Sequence, residues 1–200
     1  LYWVHGPADS PDSRERRLGL DYVLNANPHS ELTGFYQGFY SVQSGEEAGE
    51  ALLARPRREL PDAVVSANDQ MAIGVVKALS RAGVRVPEDV AVVGFDDIFP
   101  GSLCDPPLTT VHQPMRMLGE RSCARLLERI ANPGLRPATE LLPTELVLRS
   151  SCGCPPGTVV REPVPTLKVP RSELTAAAPS HSPRPSPQPG RRPARQAAKA

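Results

Sequence analysis

The chain has 200 residues, enough for one hydrophobic core of ordinary size, and its 23 Lys or Arg and 22 Asp or Glu give a formal net charge of +1. The charge is uneven: residues 155–200 hold eight basic and two acidic residues, about +6, which leaves residues 1–154 with 15 basic and 20 acidic residues, about −5. An acidic segment of this kind argues against a nucleic-acid surface on residues 1–154, and no apolar run approaches the roughly 18 residues that span a membrane.

The first predicted element is a short apolar strand, LYWV at residues 1–4. Because this strand starts the chain with no initiator methionine or signal-peptide pattern ahead of it, we expect the chain to be a piece of a longer protein. A helix follows, with Ser10 as its N-cap and Pro11 at its first position. The apolar residues expected on its buried face are Leu20, Val23 and Leu24.

Two further pairs of a strand and a helix follow. Residues 31–40 predict the second strand and residues 62–67 the third. The helix after the second strand carries a capping-box pattern formed by Ser44 and Glu47, and the helix after the third strand ends at Gly83. The residues expected on the inward faces of these helices are Ala48, Ala51 and Leu52 in the first and Ala72, Val75, Val76 and Leu79 in the second.

The fourth strand, DVAVVGF at residues 89–95, is apolar without alternation, which is typical of a strand covered on both faces. Strands that alternate with helices predict an α/β fold, a three-layer parallel sheet with right-handed crossovers. A longer helix is predicted from about residue 114 to residue 131, and ELVLRS at 145–150 predicts a last short strand that can close the sheet. The apolar stripe of the long helix consists of Met115, Leu118, Cys123, Leu126 and Ile130.

The composition changes after Cys154. Eleven of the 24 prolines fall in residues 155–200, and the end of the chain has almost no large apolar side chain, so it cannot bury enough surface to offset the entropy of ordering it. We therefore predict a domain at 1–154 and a disordered Pro/Ala/Arg-rich tail at 155–200. The basic charge of the tail could attract DNA or an acidic membrane weakly, but a solvated low-complexity tail is the favoured interpretation.

The four cysteines, Cys104, Cys123, Cys152 and Cys154, are neither dense nor regularly spaced. Cys152 and Cys154 form a C-x-C pair, which could hold a metal ion only with two more ligands. No His or Cys pair follows at zinc-finger spacing. Reduced thiols, and hence a cytoplasmic protein, are the preferred interpretation.

Polar side chains follow the predicted strands at the sheet edge where ligands collect in open parallel sheets. Asp96 and Asp97 follow the fourth strand, Asn68 follows the third, Tyr40 ends the second, and Arg16 shares the inward face of the first helix. A carboxylate, an amide, a guanidinium and an aromatic ring together suit a polyhydroxylated ligand. We predict a binding site for a small polar molecule formed by Arg16, Tyr40, Asn68 and Asp96.

Each candidate also has a purely structural interpretation. Asn68 could cap the following helix, Asp97 could cap a turn, Tyr40 could belong to the core, and Arg16 could be an exposed residue of the first helical turn. Asp96 is harder to explain in this way, because burying a carboxylate without partners costs several kcal/mol. An enzyme is the other class considered, but adjacent carboxylates diverge and no third acid and lysine stand in matching places for Mg²⁺. We therefore predict no catalytic residue, no metal site and no cofactor.

Three blocks of the sequence resemble one family: GPADSPDSRERRLG, the long block PDAVVSANDQMAIGVVKALSRAGVRVPEDVAVVGFDDI, and PPLTTVHQP. They are similar, in order, to the effector-binding domain of LacI/GalR-type bacterial transcription regulators, which has the type I periplasmic-binding-protein fold. The resemblance implies two lobes around a cleft for a sugar or a purine, and a homodimer that holds operator DNA through an amino-terminal helix-turn-helix. It assigns the cleft arginine, stacking aromatic, asparagine and aspartate to Arg16, Tyr40, Asn68 and Asp96.

The chain also departs from this family. It begins where the family's second lobe begins, so we expect the helix-turn-helix and nearly all of the first lobe to be absent. By the family's topology the helix at 114–131 belongs to that missing lobe. We therefore expect its apolar stripe to be exposed and prone to self-association. The end of the domain, LRSSCGCP, resembles sensor domains fused to signalling modules. A sensor of a diguanylate cyclase or histidine kinase, or a sugar-binding transport protein, therefore remains the alternative.

Overall fold

The computed structural model describes residues 1–164, so most of the predicted tail, residues 165–200, lies outside the described residues. The first half of the chain contains β1 (Tyr2–His5), α1 (Pro11–Asn25), β2 (Gly34–Gln37), α2 (Val42–Leu53), β3 (Ala63–Ser66) and α3 (Asp69–Arg81). The second half contains β4 (Ala91–Val93), α4 (Phe99–Ser102), β5 (Thr110–His112), α5 (Met115–Ala131), β6 (Glu145–Leu148) and β7 (Val160–Pro163). Short 3₁₀ turns lie at Arg57–Glu59 and Ser150–Cys152.

The first four strands form one parallel sheet in the order β2-β1-β3-β4. Val4 lies at its centre, paired in register with Tyr36 on one side and Ser66 on the other. The apolar fourth strand was expected to be covered on both faces. Val92 and its partner Val64 are fully buried on one face, whereas Ala91 and Val93 on the other face are only partly buried. The predicted α/β fold with a parallel sheet is confirmed.

Helices α2 and α3 pack with their backbones in contact, because two glycines remove the side chains between them. A Cβ atom at Gly45 would lie 2.1 Å from the carbonyl oxygen of Met71, and one at Gly74 would lie 2.1 Å from that of Val42. The inward residues predicted for α3 are all buried. This packing fixes the amino terminus of α3, which begins directly after β3 at the sheet edge.

Two details of the predicted helices are wrong. Helix α2 begins at Val42 with Ser41 as its N-cap, and Ser44, the predicted cap, is a buried residue of the first turn that donates to the Ser41 carbonyl. The predicted apolar face of α1 is also incomplete, because Val23 is 50% exposed and Asp21, paired with Arg17, is buried there instead. The Ser10 cap of α1 is confirmed, since its side chain accepts from the backbone N–H of Ser13.

The last strands do not close the parallel sheet as predicted. Instead, β5, β6 and β7 form an antiparallel sheet, and it meets the first sheet where the Gly94 and Asp96 amides donate to the carbonyls of Thr109 and Val111, each at 2.9 Å. Strand β7 lies within residues 155–200, the predicted disordered tail. It pairs with β6, which offers a free edge for backbone hydrogen bonds that composition alone does not reveal.

Helix α5 has no buried residue, although its sequence carries an apolar stripe. Leu126 is 60% exposed and Ile130 is 67% exposed. The exposure expected for this stripe is therefore present in the described part of the chain. Within residues 1–164, no helix is both long enough and apolar enough to cross a membrane.

Candidate ligand-binding site

The two carboxylates that follow β4 sit in a strained turn and point to different environments. Asp96 has φ 118° and Asp97 has φ 57°, both in the left-handed region that non-glycine residues rarely occupy. The Asp96 side chain is 26% exposed, whereas the Asp97 side chain is 7% exposed. The adjacent acids therefore have separate roles.

Asp97 is the centre of a buried ionic network and not the turn cap considered from its sequence position. Its Oδ1 accepts from Arg149 Nη2 at 2.6 Å, and its Oδ2 lies 3.0 Å from both His112 Nδ1 and Arg161 Nη2. Burial alone raises the pKa of Asp97, but the hydrogen bond and charge of Arg149 outweigh it, with help from Arg161, and the net pKa is lowered. This network fixes the turn that carries Asp96.

Asp69, at the first position of α3, also stabilises the turn after β4. Its side chain accepts from the Thr110 hydroxyl at 2.6 Å and from the Ile98 amide at 2.9 Å, and the residue is fully buried. Burial raises the pKa of Asp69, although these two hydrogen bonds oppose the shift. Asp69 therefore joins α3, β5 and the turn after β4, and it is not positioned to meet a ligand.

Arg16 reaches inward from α1 to the same edge, as its helical position predicted. Its side chain is 17% exposed, which rules out the alternative of an exposed first-turn arginine. One guanidinium nitrogen donates to the carbonyl of Ala67, another lies 3.5 Å from Asp96 Oδ1, and the guanidinium carbon stacks 3.9 Å above the centre of the Phe95 ring. Arg16 is thus held in place by three neighbours while remaining close to the Asp96 carboxylate.

Asp96 is half-buried with its contacts concentrated on one oxygen. Gln113 Nε2 donates to Oδ1 at 2.6 Å, and Arg16 faces the same oxygen. Burial raises the pKa of Asp96, while Arg16 and Gln113 lower it and Asp12 raises it further. Within residues 1–164 both of these contacts fall on Oδ1, so Oδ2 can accept a hydrogen bond from a molecule at the edge.

Asn68 and Tyr40 form the remaining side of the cluster. Asn68 Oδ1 accepts from the Met71 amide at 3.0 Å, so its helix-capping interpretation is confirmed, and its Nδ2 donates to the Tyr40 carbonyl at 3.3 Å. The Tyr40 hydroxyl lies 2.8 Å from Ser10 Oγ, and the ring covers Gly6, where a Cβ atom would come within 2.2 Å of it. Both residues are engaged by the protein itself, so they shape the edge as well as offering polar groups to it.

Replacing Asn68 by alanine is expected to lower the free energy of unfolding by about 1 kcal/mol, because the first turn of α3 loses its side-chain acceptor. Urea denaturation followed by circular dichroism measures this loss. The variant Asn68→Asp is the matched control, since it keeps the accepting oxygen. An Asn68→Asp variant as unstable as Asn68→Ala would contradict the capping role.

The structure brings the four predicted residues to one edge. Arg16 contacts Asp96 and the carbonyl of Ala67, Ala67 precedes Asn68, and Asn68 binds Tyr40. Their role in binding stays a prediction, but the shared location that the prediction required is present.

A groove of about 530 Å³ opens beside Asp96, between the turn after β4 and the start of α5. The other residues that line it are Asp97, His112, Gln113, Pro114, Met115, Arg116, Met117 and Glu120. Sequence reasoning did not select Gln113 or His112, although both lie in the quoted block PPLTTVHQP, and it did not select Arg149. In the described part of the chain no three His, Cys, Asp or Glu residues are grouped as metal ligands.

The chain is similar to a known protein family and to several characterised proteins. The family described as periplasmic binding protein-like domain matches residues 1–152. The ribose operon repressor of Escherichia coli K12 is 40% identical over 138 residues, which cover 66% of this chain and 40% of that protein. The transcriptional repressor PurR of Mannheimia succiniciproducens is 38% identical over 140 residues, 70% of this chain and 41% of that protein. The chain thus spans about 40% of the length of these curated relatives.

Solved structures show the same similarity. The lac repressor dimer bound to operator and the anti-inducer ONPF matches with a TM-score of 0.68 and 34% identity, over 75% of this chain and 51% of that one. The complex of the transcriptional regulator CelR with cellobiose matches with a TM-score of 0.65 and 33% identity, over 75% of this chain and 46% of that one.

Proposed function

Because the chain belongs to the periplasmic binding protein-like family, in its LacI/GalR-type branch, we propose that it is the ligand-sensing part of a transcription regulator and binds a small polar effector without chemistry. The observation that carries this proposal is the pairing of Arg16 with Asp96 at an open sheet edge, beside the groove. Arg16 and Asp96 form a partly buried ion pair, and Asp96 Oδ2 makes no hydrogen bond within residues 1–164, which suits a ligand that supplies hydroxyl donors.

The ligand class we propose is a sugar or similar polyol. Asp96 Oδ2 accepts from a hydroxyl, Arg16 donates to an oxygen of the ligand, Asn68 supplies a polar contact, and the Tyr40 ring covers an apolar face. The relatives support this class, since one is named for the ribose operon and another was solved with cellobiose.

The test is a panel of D-ribose, cellobiose and the purine base hypoxanthine, measured by thermal shift and calorimetry on the 200-residue chain and on any longer gene product that contains it. A ligand present at 100 times its Kd stabilises the folded state by about 2.7 kcal/mol. Stabilisation by a sugar and not by the purine is the expected result. Stabilisation by hypoxanthine alone would replace the sugar class, and no response from any probe in either protein would overturn the proposal.

The domain organisation we propose assigns the sheet β2-β1-β3-β4 and its helices to a second lobe, and α5 to a first lobe formed by residues outside this chain. The exposed apolar side chains of α5 support this assignment, because exposed apolar patches of this kind mark contact surfaces. The length of the relatives also leaves room for such a lobe, since the chain covers only about 40% of each relative.

Replacing Leu126 and Ile130 by glutamate is expected to weaken self-association of the 200-residue chain by at least about tenfold, because α5 loses two exposed apolar anchors. Sedimentation velocity over a range of protein concentrations measures the effect. Val23→Glu, on the half-exposed position of α1, is the matched control and should leave association unchanged. A wild-type chain that stays monomeric at every concentration would contradict the role given to α5.

Control of transcription in this proposal is indirect. Residues 1–154 carry about −5, which does not suit contact with DNA, so a helix-turn-helix outside this chain contacts the operator in a cytoplasmic homodimer. The lac repressor structure supports this arrangement as a dimer on its operator. We expect the 200-residue chain to show no specific DNA retention in a gel-shift assay, while a longer gene product shifts its operator in an effector-dependent way.

A further inference from the structure

The proposed effector site leaves one pair of reactive side chains unused, the cysteines on either side of Gly153. Cys152 ends the 3₁₀ turn that follows β6, and Cys154 begins the segment that leads to β7. Their sulfur atoms lie 3.7 Å apart, and both residues are partly exposed. The pair is therefore in contact and open to small molecules in solution.

Gly153 makes this contact possible. Its φ of 101° lies in the left-handed region, where a glycine carries no steric cost, and its N–H donates to the Ser150 carbonyl at 3.0 Å. A Cβ atom at this position would meet nothing within 4 Å, so the turn has open space around it. A disulfide requires the two sulfurs to approach further, from 3.7 Å to about 2.05 Å, and the open space beside Gly153 leaves room for the turn to adjust.

The two thiols differ in acidity in the way that a nucleophile and its partner do. Burial raises the pKa of Cys152, but hydrogen bonds from Thr109 and from Cys154 outweigh it and lower the net pKa. The hydrogen bond with Cys152 raises the pKa of Cys154. Cys104 differs in the net shift, because burial raises its pKa, although its thiol donates to the Pro100 carbonyl at 3.4 Å much as the Cys152 thiol donates to the Arg149 carbonyl at 3.3 Å.

From this geometry we propose that Cys152 and Cys154 are a redox-active dithiol that forms a disulfide within the chain by exchange with a small-molecule disulfide such as oxidised glutathione. The Cys152 thiolate attacks one glutathione sulfur and forms a mixed disulfide, releasing the first glutathione as a thiol. Cys154, after losing its proton, attacks the Cys152 sulfur and releases the second. The two protein thiols lose two electrons, one disulfide is reduced to two thiols, and the protons of Cys152 and Cys154 end on the two glutathiones.

The test uses the full 200-residue chain with Cys104 and Cys123 replaced by serine, so that only the pair remains. After incubation with oxidised glutathione we expect intact mass spectrometry to show the loss of two hydrogen atoms and non-reducing electrophoresis to show no cross-linked species. In the variant Cys154→Ser the reaction should stop at the mixed disulfide, with the mass of one glutathione added at Cys152. In Cys152→Ser, addition at Cys154 should be at least about tenfold slower at pH 7.

A second measurement keeps the proposal testable if a serine variant folds poorly. In the wild-type chain, alkylation by iodoacetamide at pH 7 should be at least about tenfold faster at Cys152 than at Cys104, as read from digested peptides. Oxidation that links separate chains, glutathione addition at both cysteines without closure, or equal alkylation of Cys152 and Cys104 would overturn the proposal.

Discussion

Replacing Arg149 by methionine is expected to lower the free energy of unfolding by about 3–5 kcal/mol, because the change leaves a buried carboxylate without its principal partner. Arg149 and Asp97 are among the least exposed charged side chains of the site, at 7% each, and their closest atoms lie 2.6 Å apart. Arg149 also donates to the Leu108 carbonyl at 2.8 Å, so the variant loses a second buried hydrogen bond. Urea denaturation at neutral pH measures the change.

Arg161 provides a matched control for this prediction, since it pairs with the same carboxylate from the surface. Its side chain is 45% exposed, and a pair of that kind contributes no more than about 1 kcal/mol. Arg161→Met should therefore have a small effect. Equal losses from Arg149→Met and Arg161→Met would show that burial does not determine the strength of the network.

The stability that Arg149 confers is also expected to depend on pH. Because the pKa of Asp97 is lowered in the folded state, its contribution is complete above the unfolded pKa of about 4 and is lost as the pH falls through the folded value. The difference in unfolding free energy between the wild type and Arg149→Met should therefore be full at pH 7 and shrink below about pH 4. A difference that stays constant down to pH 2 would contradict the assignment of the pair.

Replacing Asp96 by alanine is expected to weaken effector binding by about 2–4 kcal/mol, or about 30- to 1,000-fold in Kd, because charged hydrogen bonds to the ligand are lost. The measurement is calorimetry with whichever sugar of the panel binds the wild type. The loss should appear without a comparable loss of stability, since the Asp96 side chain is 26% exposed and carries fewer buried contacts than Asp97.

Asp89→Ala is the control for this second prediction. It removes another aspartate, which pairs with the exposed side chains of Arg85 and Arg57 and does not line the groove, so it should leave effector affinity unchanged. Unchanged affinity in Asp96→Ala would remove Asp96 from the binding site.

Much of the fold follows from local patterns along the chain. The apolar residues of α3 recur with helical spacing and are buried, and Ser10 caps α1. The unbroken apolar run before Gly94 forms a strand, in which Val92 is fully buried. These features are readable because periodicity and capping depend on residues within a few positions of one another. The inward orientation of Arg16 could be predicted for the same reason.

The separate roles of Asp96 and Asp97 could not be read in this way. The two residues are adjacent and chemically identical, and only their distant partners distinguish them: Asp97 meets Arg149, 52 positions away, whereas Asp96 meets Arg16 and Gln113. The positive φ of both residues depends on hydrogen bonds to β5. No local pattern signals which of two neighbouring carboxylates becomes buried.

By itself the sequence determined the alternation of strands and helices, the parallel sheet and the edge at which polar groups collect, because burial of apolar faces imposes these at short range. The tertiary structure decided which sheet β6 joins, that β7 pairs with it beyond residue 154, and which acid is held by Arg149. These outcomes depend on strand edges and charges that meet only after the chain has folded, since hydrogen bonds and ion pairs depend on distance in space and not on separation along the chain.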